Sequence, residues 1–311
     1  MKLWLLWLLV CGVEAQAIDI GWVTVGDPGN KPDKTGYGAV AYEFQISKHE
    51  VTAEQYAEFL NALAVKSDPH ALWHPGMVFT VNRIGKPGEY HYEAIKGKER
   101  RPVVHVSFME AMRFANWLNN GAGQGNTEKG AYDIPSHGGL AGHEPGAKVW
   151  LPTEDEWYKA AYFQPETAGG PPGGYWLYPT RSNEKPALRE AGARESNSAN
   201  YLQDGRTNSV GGVARSFADS LPVGSYPNSA SYYGTYDQGG NAWEWIEAVV
   251  FDTQRCIRGG CMAHSFEKLK SVVRTSSNPA KRYPATGFRL ARSVPKAGDA
   301  ASVQPATPKQ P

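Results

Sequence analysis

The sequence predicts one mixed domain in which a few short helices and short strands are joined by long, ordered loops. Three helix starts carry the same capping signal, and they lie far apart along the chain. Glycine (34 residues) and proline (22 residues) are spread throughout, which indicates many turns rather than a helical bundle. Hydrophobic residues make up 41%, which is enough to bury a sizeable core.

The N-terminal residues 1–17 are typical of an export signal. Lys2 supplies a short positive region, residues 3–13 are apolar, and residues 15–17 form a small–x–small cleavage site. The alternative is a buried N-terminal strand or helix. The apolar run is too short to span a bilayer as a stable helix. We therefore expect an exported protein, periplasmic or extracellular, with no stable membrane span in its mature chain.

The folded domain is expected to occupy residues 18–293. The tail at 294–311 is rich in Ala, Pro, Lys and Gln, and it has too little apolar surface to order itself. Lys and Arg (32) nearly balance Asp and Glu (31), with no basic stripe. The sequence therefore lacks the electrostatic footprint of a nucleic-acid-binding protein.

Strands and turns are predicted from residue 18 to about residue 48, with one strand over residues 41–46. Three helices follow. Each begins with a capping box, in which a hydroxyl residue and the Gln or Glu three positions later satisfy two backbone amides. Apolar residues then recur at spacings of three and four, so one face of each helix is buried. The three boxes are Thr52–Gln55, Ser107–Glu110 and Thr153–Glu156.

Residues 164–232 form the longest predicted loop region, rich in Pro, Gly, Ser and Asn. Loops of this length are either functional or disordered. Aromatic side chains recur through the region, which favours ordered, packed loops. These aromatic residues are Tyr175, Trp176, Tyr178, Tyr201 and Tyr226.

A linked series of motifs runs through nearly the whole domain. In chain order the motifs occupy residues 48–56, 101–107, 151–157, 240–245, 258–274 and 287–289. Their order and spacing resemble the formylglycine-generating-enzyme family, also called the sulfatase-modifying-factor domain. The resemblance covers roughly residues 20–293 and implies an α+β fold related to C-type lectins, with few short helices, short strands and long ordered loops. Within it, Arg289 is expected to be a paired structural arginine.

The resemblance also implies a calcium site. Its ligands would be the Asp237 side chain, the Gly240 and Ala242 carbonyls, and the Glu244 carboxylate. Calcium takes six to eight hard oxygens and mixes carboxylates with carbonyls in this way. The alternative is a Gly-Gly turn in which Glu244 forms a salt bridge with an arginine.

A second calcium site of the family would match Asn200 and the carbonyl of Tyr201. The family's aspartate at this site falls near Arg215, with Asp219 a few residues away. Because the chain departs from the family pattern here, the second site is the weaker of the two expectations.

The catalytic residues of the family are not matched. Enzymes that make formylglycine bind copper(I) through two thiolates, and soft thiolates suit that ion. Their cysteines occupy the fourth and ninth positions after the Gly-Gly that matches Gly259 and Gly260. Here those positions hold His264 and Leu269. Copper-thiolate catalysis is therefore not expected.

Cys256 and Cys261 straddle the Gly-Gly pair and are expected on a strand and its turn. Three interpretations remain open: two buried unreactive thiols, a disulfide across the turn, or a displaced copper site. A reactive thiolate needs a partner that lowers its pKa, and the nearby candidates in sequence are His264, Arg255 and Arg258. Cys256, Cys261 and His264 are thus weak catalytic candidates.

Iron is a further alternative, since family relatives in ergothioneine-type sulfur chemistry are non-haem iron enzymes. Their ligands come largely from an extra histidine-rich helical domain that this chain lacks. His70 and His74 are four apart, but prolines on both sides predict a loop rather than a helix. His105, between β-branched residues, is expected to be a buried core histidine. We expect neither iron nor copper.

The favoured function is a non-catalytic or reassigned family member, a calcium-stabilised lectin-like module that binds carbohydrate or a peptide or protein ligand through aromatic loop residues. One alternative is a metal-dependent oxidase of the formylglycine-generating type acting on protein cysteine. A non-haem iron enzyme of the same family is another. A structural or cell-surface assembly protein is the third.

Overall fold

The structure is a computed structural model. It describes residues 18–123, 125–140, 142–203, 207–209, 212–214 and 220–295, with the backbone alone at 207–209 and 212–214. The predicted export signal and the tail from residue 296 onward lie outside the described residues, so both stay predictions. In the part that is described, no helix is long and apolar enough to cross a membrane.

The predicted α+β class is confirmed: the described residues form four short α-helices and short strands joined by long ordered loops. The helices are α1 Ala53–Leu63, α2 Phe108–Asn119, α3 Ile134–His137 and α4 Glu154–Tyr162. The strands are β1 Trp22–Val25, β2 Phe44–Ser47, β3 Val81–Ile84, β4 His91–Ala94, β5 Val149–Trp150, β6 Thr207–Ser209, β7 Gly212–Ala214, β8 Trp243–Val250, β9 Gln254–Arg258, β10 Thr275–Ser277, β11 Thr286–Phe288 and β12 Ala291–Ser293.

All three predicted helices form, and each begins at its predicted cap. At the start of α1, Thr52 accepts a hydrogen bond from the Gln55 amide, and the Gln55 side chain accepts one from the Thr52 amide. The same reciprocal pair opens α2 and α4. Two backbone amides that the helix itself leaves unpaired are satisfied at each start, which fixes where the chain turns into the core.

The main core is built on the apolar faces of α1 and α2. Phe59 of α1 and Phe114 of α2 pack edge to face, with ring centroids 5.2 Å apart. Phe114 also contacts Phe288 of β11, with centroids 5.4 Å apart. Aromatic pairs at these distances add to the stability gained from buried area. The cluster therefore fixes the two helices against the C-terminal strands.

Two four-stranded sheets carry most of the strand structure. One has the order β1-β2-β12-β5, and the other has the order β10-β9-β8-β11 with β11 parallel to β8. In the second sheet, Glu244 lies opposite Arg258 of β9 on one side and opposite Gly287 of β11 on the other. Because successive side chains on a strand point to opposite faces, Trp243 and Trp245 lie on one face and Glu244 on the other.

One expectation about a core histidine is wrong. His105 is only half-buried, its backbone lies in the left-handed region (φ 61°), and its ring stacks on His74 at 5.8 Å. Gly76 permits this position, since a Cβ at that glycine would lie 2.4 Å from the His105 ring. The β-branched neighbours point inward, and the histidine is turned outward by its backbone.

Candidate functional site

A groove of about 360 Å³ crosses one face of the second sheet. Each of the four strands contributes to its floor. In strand order these residues are Thr275 and Ser277 of β10, Ile257 of β9, Trp243 of β8 and Thr286 of β11. The groove is thus a product of sheet geometry, because alternate side chains of neighbouring strands share a face.

The walls of the groove come from two loops. Residues 283–285 (Tyr-Pro-Ala) form one wall, and Ala263, His264 and Lys268 form the other. The Lys268 and His264 side chains are exposed, while Trp243 and Ile257 are almost completely buried. The groove therefore has a floor with an apolar centre and hydroxyl side chains at its edges, and a rim that carries the Lys268 cation.

The Gly259–Gly260 pair allows the chain to return over Trp243 after β9. Both residues have positive φ (97° and 74°), a region that favours glycine. A Cβ on Gly259 would lie 2.8 Å from the Gln238 carbonyl oxygen. The two glycines thus position the loop that carries His264.

His264 connects the groove to a buried thiol. Its Nδ1 atom lies 3.0 Å from the Trp243 indole nitrogen and 3.1 Å from Cys261 Sγ. An indole N–H can only donate, so Nδ1 is the acceptor. Burial lowers the pKa of His264, with the Lys268 charge acting in the same direction. The imidazole is therefore neutral at neutral pH and carries its proton on Nε2.

Both remaining cysteines are free and buried. They lie on β9 and the turn after it, as predicted, and the disulfide interpretation does not match the structure. Burial raises the pKa of Cys261 to about 11, and that of Cys256 to about 12 with help from the Glu154 carboxylate. Neither residue lines the groove. At neutral pH these groups are thiols rather than thiolates.

The two positions that match the family's cysteines have different surroundings. His264 lies on the groove wall. Leu269 is fully buried in a small cluster with Tyr178 and Tyr201. One of the two positions therefore faces the groove and the other belongs to the core, so the chain offers no thiol pair there.

Glu244 lies on the opposite face of β8 and is completely buried. Arg289 donates to both of its carboxylate oxygens, from Nε to Oε2 at 2.6 Å and from Nη2 to Oε1 at 2.7 Å. The Trp157 indole donates to Oε2 at 2.7 Å. The expected structural role of Arg289 is thus observed, together with the salt bridge weighed as the alternative to calcium.

The loop that contains Asp237, Gly240 and Asn241 has an unusual backbone. All three residues have positive φ (61°, 95° and 58°), which is uncommon for Asp and Asn. Asn241 Oδ1 holds the turn by accepting from the Leu221 amide at 2.9 Å. Asp237 Oδ2 accepts from the Gly224 amide at 2.6 Å, and burial raises the pKa of Asp237 to about 6.

The residues predicted for the second calcium site lie against this same loop. The Asn200 carbonyl accepts from the Asn241 amide at 2.9 Å, and it approaches Gly240 so closely that a Cβ there would lie 2.3 Å away. Tyr201 is buried and donates from its hydroxyl to the Pro186 carbonyl at 2.7 Å. Arg215 and Asp219 lie outside the described residues.

The donor chemistry of the 237–244 loop fits calcium, because buried carboxylates and turn carbonyls are hard oxygen ligands. Across the described ranges, no group of three or more His, Cys, Asp or Glu side chains is placed to hold one metal ion. A calcium ion would therefore depend on Asp237 together with the Gly240 and Ala242 carbonyls. The loop histidines have other partners. His70 lies 3.6 Å from the Glu128 carboxylate, and His74 Nδ1 accepts a hydrogen bond from the Gly76 amide.

Sequence reasoning missed most of the groove. Two of the aromatic loop residues expected to contact a ligand have structural roles: Tyr178 is core, and the Tyr175 hydroxyl donates to the Gly38 carbonyl at 2.9 Å. The walls come from Lys268 and Tyr283 instead. Of the candidate site residues in the sequence, His264 alone lines this groove.

The sequence of this domain matches the model of a known family. Residues 17–294 match the sulfatase-modifying factor enzyme 1-like domain, so the chain belongs to this family. Hercynine oxygenase of Mycolicibacterium smegmatis is 28% identical over 227 residues, which cover 66% of this chain and 40% of that protein. Serine/threonine-protein kinase pkn1 of Chlamydia caviae is 31% identical over 286 residues, covering 86% and 35%.

The chain thus spans two fifths or less of the length of these two relatives. Among solved structures, CarF is similar with a TM-score of 0.56 and 21% identity, covering 90% of this chain and 100% of that one. At this identity the similarity supports the fold alone.

Proposed function

We propose that this protein is an exported, ligand-binding member of its family in which calcium stabilises the 237–244 loop. The observation that carries the binding role is the groove. Its floor combines the apolar Trp243 and Ile257 of the central strands with hydroxyl side chains of the two edge strands, and its rim carries an exposed lysine. Concave apolar sites with a few polar groups are the usual form of ligand sites.

The groove suits an extended peptide better than a compact ligand. β10 is an edge strand of the sheet and lines the groove through Thr275 and Ser277. A peptide can pair with such an edge through its backbone while one side chain enters the adjacent pocket. Lys268 adds a positive charge at the rim. The favoured ligand therefore combines an apolar anchor with a carboxylate.

The residues at the groove do not fit the oxidase alternative. Copper(I) catalysis of the family type needs two thiolates facing the substrate. Here Cys256 and Cys261 have raised pKa values and lie outside the groove lining. His264 supplies a single nitrogen ligand, which also falls short of the set expected for the non-haem iron alternative. Binding without oxidation is the function that this arrangement supports best.

Calcium is supported by the buried oxygen ligands of the 237–244 loop, and export by the signal-like residues 1–17. The calcium ion would neutralise the Asp237 carboxylate, whose pKa is raised by burial. Stabilising a loop next to a binding site preorganises that site and reduces the ordering cost of binding.

The test is a fluorescence polarisation titration of the purified protein with a labelled peptide of alternating Phe and Asp residues. Lys268→Glu should weaken binding about tenfold or more, because a rim charge is reversed. Lys96→Glu, at an exposed lysine outside the groove, is the matched control and should bind as the wild type does. Equal binding by both variants would contradict the proposal. Maltoheptaose binding without any peptide binding would favour a carbohydrate ligand instead.

A further inference from the structure

Glu50 is a buried carboxylate with incomplete hydrogen bonding. It follows β2 and is 1% exposed. Its Oε1 atom accepts from the Asn241 side chain at 3.3 Å. Its Oε2 atom is buried with no hydrogen-bond partner among the described residues. Polar atoms are rarely left in this state, because removing them from water without a partner is unfavourable.

The surrounding charges do not balance this carboxylate. Burial raises the pKa of Glu50, and the charges of Asp237 and Glu244 raise it further. Arg289 acts in the opposite direction. Among the described residues, Arg289 is thus the guanidinium that acts on all three buried carboxylates, and it forms hydrogen bonds with Glu244 alone of the three. A buried excess of negative charge calls for a proton or a cation.

The three carboxylates differ in how many acceptor sites they have already used. A carboxylate has about four such sites. Glu244 accepts three hydrogen bonds, two from Arg289 and one from Trp157. Asp237 accepts one strong bond from Gly224, and Glu50 accepts one long bond from Asn241. The oxygens with free capacity therefore belong to Asp237 and Glu50 rather than to Glu244.

An acidic cavity leads to Glu50 from the protein surface. The cavity has a volume of about 410 Å³, and Glu50 lies on its wall. Arg100 contributes one positive charge to it, while burial lowers the pKa of His49 to about 3 and keeps that ring neutral. A cavity lined mainly by one sign of charge concentrates ions of the other sign. The other carboxylates that line it are Asp19, Glu54 and Glu58.

We propose that Glu50 is a calcium ligand, which acts with Asp237 and the turn carbonyls of the 237–244 loop, while Glu244 remains the counter-ion of Arg289. This inference rests on the calcium component of the proposed function and changes its ligand set. Asn241 supports it geometrically, since this loop residue lies between the Gly240 and Ala242 carbonyls and its side chain contacts Glu50.

The proposal predicts opposite behaviour for two glutamate variants in thermal melts and calorimetric titrations with calcium chloride. Wild-type protein should gain several degrees of Tm with calcium and lose them in EGTA. Glu50→Gln should bind calcium about tenfold or more weakly. Its Tm in EGTA should equal or exceed that of the wild type, because an unpaired buried charge has been removed.

Glu244→Gln should melt earlier in EGTA, because Arg289 loses its partner, yet it should keep the calcium response. Glu58→Gln changes an exposed carboxylate of the same cavity and is the matched control, with wild-type behaviour expected. If Glu50→Gln does not fold, Glu50→Asp retains the charge on a shorter side chain and should give intermediate affinity.

Calcium affinity that is unchanged in Glu50→Gln or Glu50→Asp, or abolished in Glu244→Gln, would overturn the proposal. A wild-type protein without any calcium response would overturn both this inference and the calcium component of the proposed function. Peptide binding in the groove is measured separately in EGTA, so failure of the binding role and failure of the calcium role are distinguishable.

Discussion

The two faces of β8 differ in how well their polar groups are satisfied. On the groove face, the Trp243 indole has a partner in His264, and the Trp245 indole donates to the Val106 carbonyl at 3.0 Å. On the opposite face, Glu244 accepts three hydrogen bonds, but Glu50, which feels its charge, has an oxygen without a partner among the described residues. The comparison separates a groove face whose indoles are paired from a carboxylate cluster whose oxygens keep unused acceptor sites.

The largest effect is expected from Arg289→Met, which removes the one guanidinium that Glu244, Glu50 and Asp237 share. Breaking a buried ion pair leaves uncompensated charge, and the loss should be about 3–5 kcal/mol in urea unfolding without calcium. Arg292→Met is the matched control, because Arg292 bonds to the neutral Gln45 side chain. A loss below about 1 kcal/mol for Arg289→Met would show that the cluster is not electrostatically strained.

The next effect tests the groove face. Gly259→Ala should cost about 3 kcal/mol, because it combines an unfavourable φ with a clash against the Gln238 carbonyl. Gly88 has a similar φ and open space around it, so Gly88→Ala isolates the backbone term and should cost about 1 kcal/mol. Equal losses in guanidinium unfolding would refute the steric argument for the turn.

A smaller effect concerns how the stability of the fold depends on pH, through Glu247 of β8 and its partner His143. His143 Nδ1 lies 2.7 Å from Glu247 Oε2. Burial lowers the pKa of His143, but the hydrogen bond and charge of Glu247 outweigh it and raise the pKa above its usual range. A raised histidine pKa stabilises the fold below about pH 6.5, and this stability is lost as pH rises through the folded-state pKa.

His143→Gln should therefore flatten the Tm profile between pH 6 and pH 8, with a change of about 1 kcal/mol at the acidic end. The His91→Gln variant, at an exposed histidine on β4, serves as control. A profile that His143→Gln leaves unaltered would contradict the assignment of this pair.

The smallest predicted effect is the absence of a reaction. Cys256 and Cys261 should resist alkylation by iodoacetamide at pH 8 in the native protein, because their pKa values are about 12 and about 11 and both are buried. In urea both should react at ordinary rates. Rapid labelling of Cys261 in the native protein, detected by mass spectrometry, would contradict this prediction and would mean that the thiol is accessible from the groove.

Local sequence signals predicted the helices well and the site only in part. The capping boxes at Thr52, Ser107 and Thr153 are short-range and were confirmed. The expected pairing of Arg289 was also correct. These features depend on residues that are close in sequence or on one strong charge pair.

The remaining features depend on long-range packing that no local pattern encodes. Lys268 and Tyr283 reach the groove from separate loops. Glu50 stands just before a helix cap and resembles an ordinary surface glutamate in sequence. Its burial follows from contact with Asn241, which is 191 positions away. The missing partner of Glu50 Oε2 is therefore visible only in three dimensions.

The central claim is that the groove recognises a ligand without oxidising it. The most direct test incubates the purified protein with copper(I), oxygen and a Cys-x-Pro-x-Arg peptide, and follows the peptide by mass spectrometry. The account predicts no peptide aldehyde beyond that of a blank with copper(I) and oxygen alone, because neither Cys256 nor Cys261 lines the groove. Conversion of the peptide cysteine to an aldehyde, lost in a Cys261→Ser variant, would contradict it.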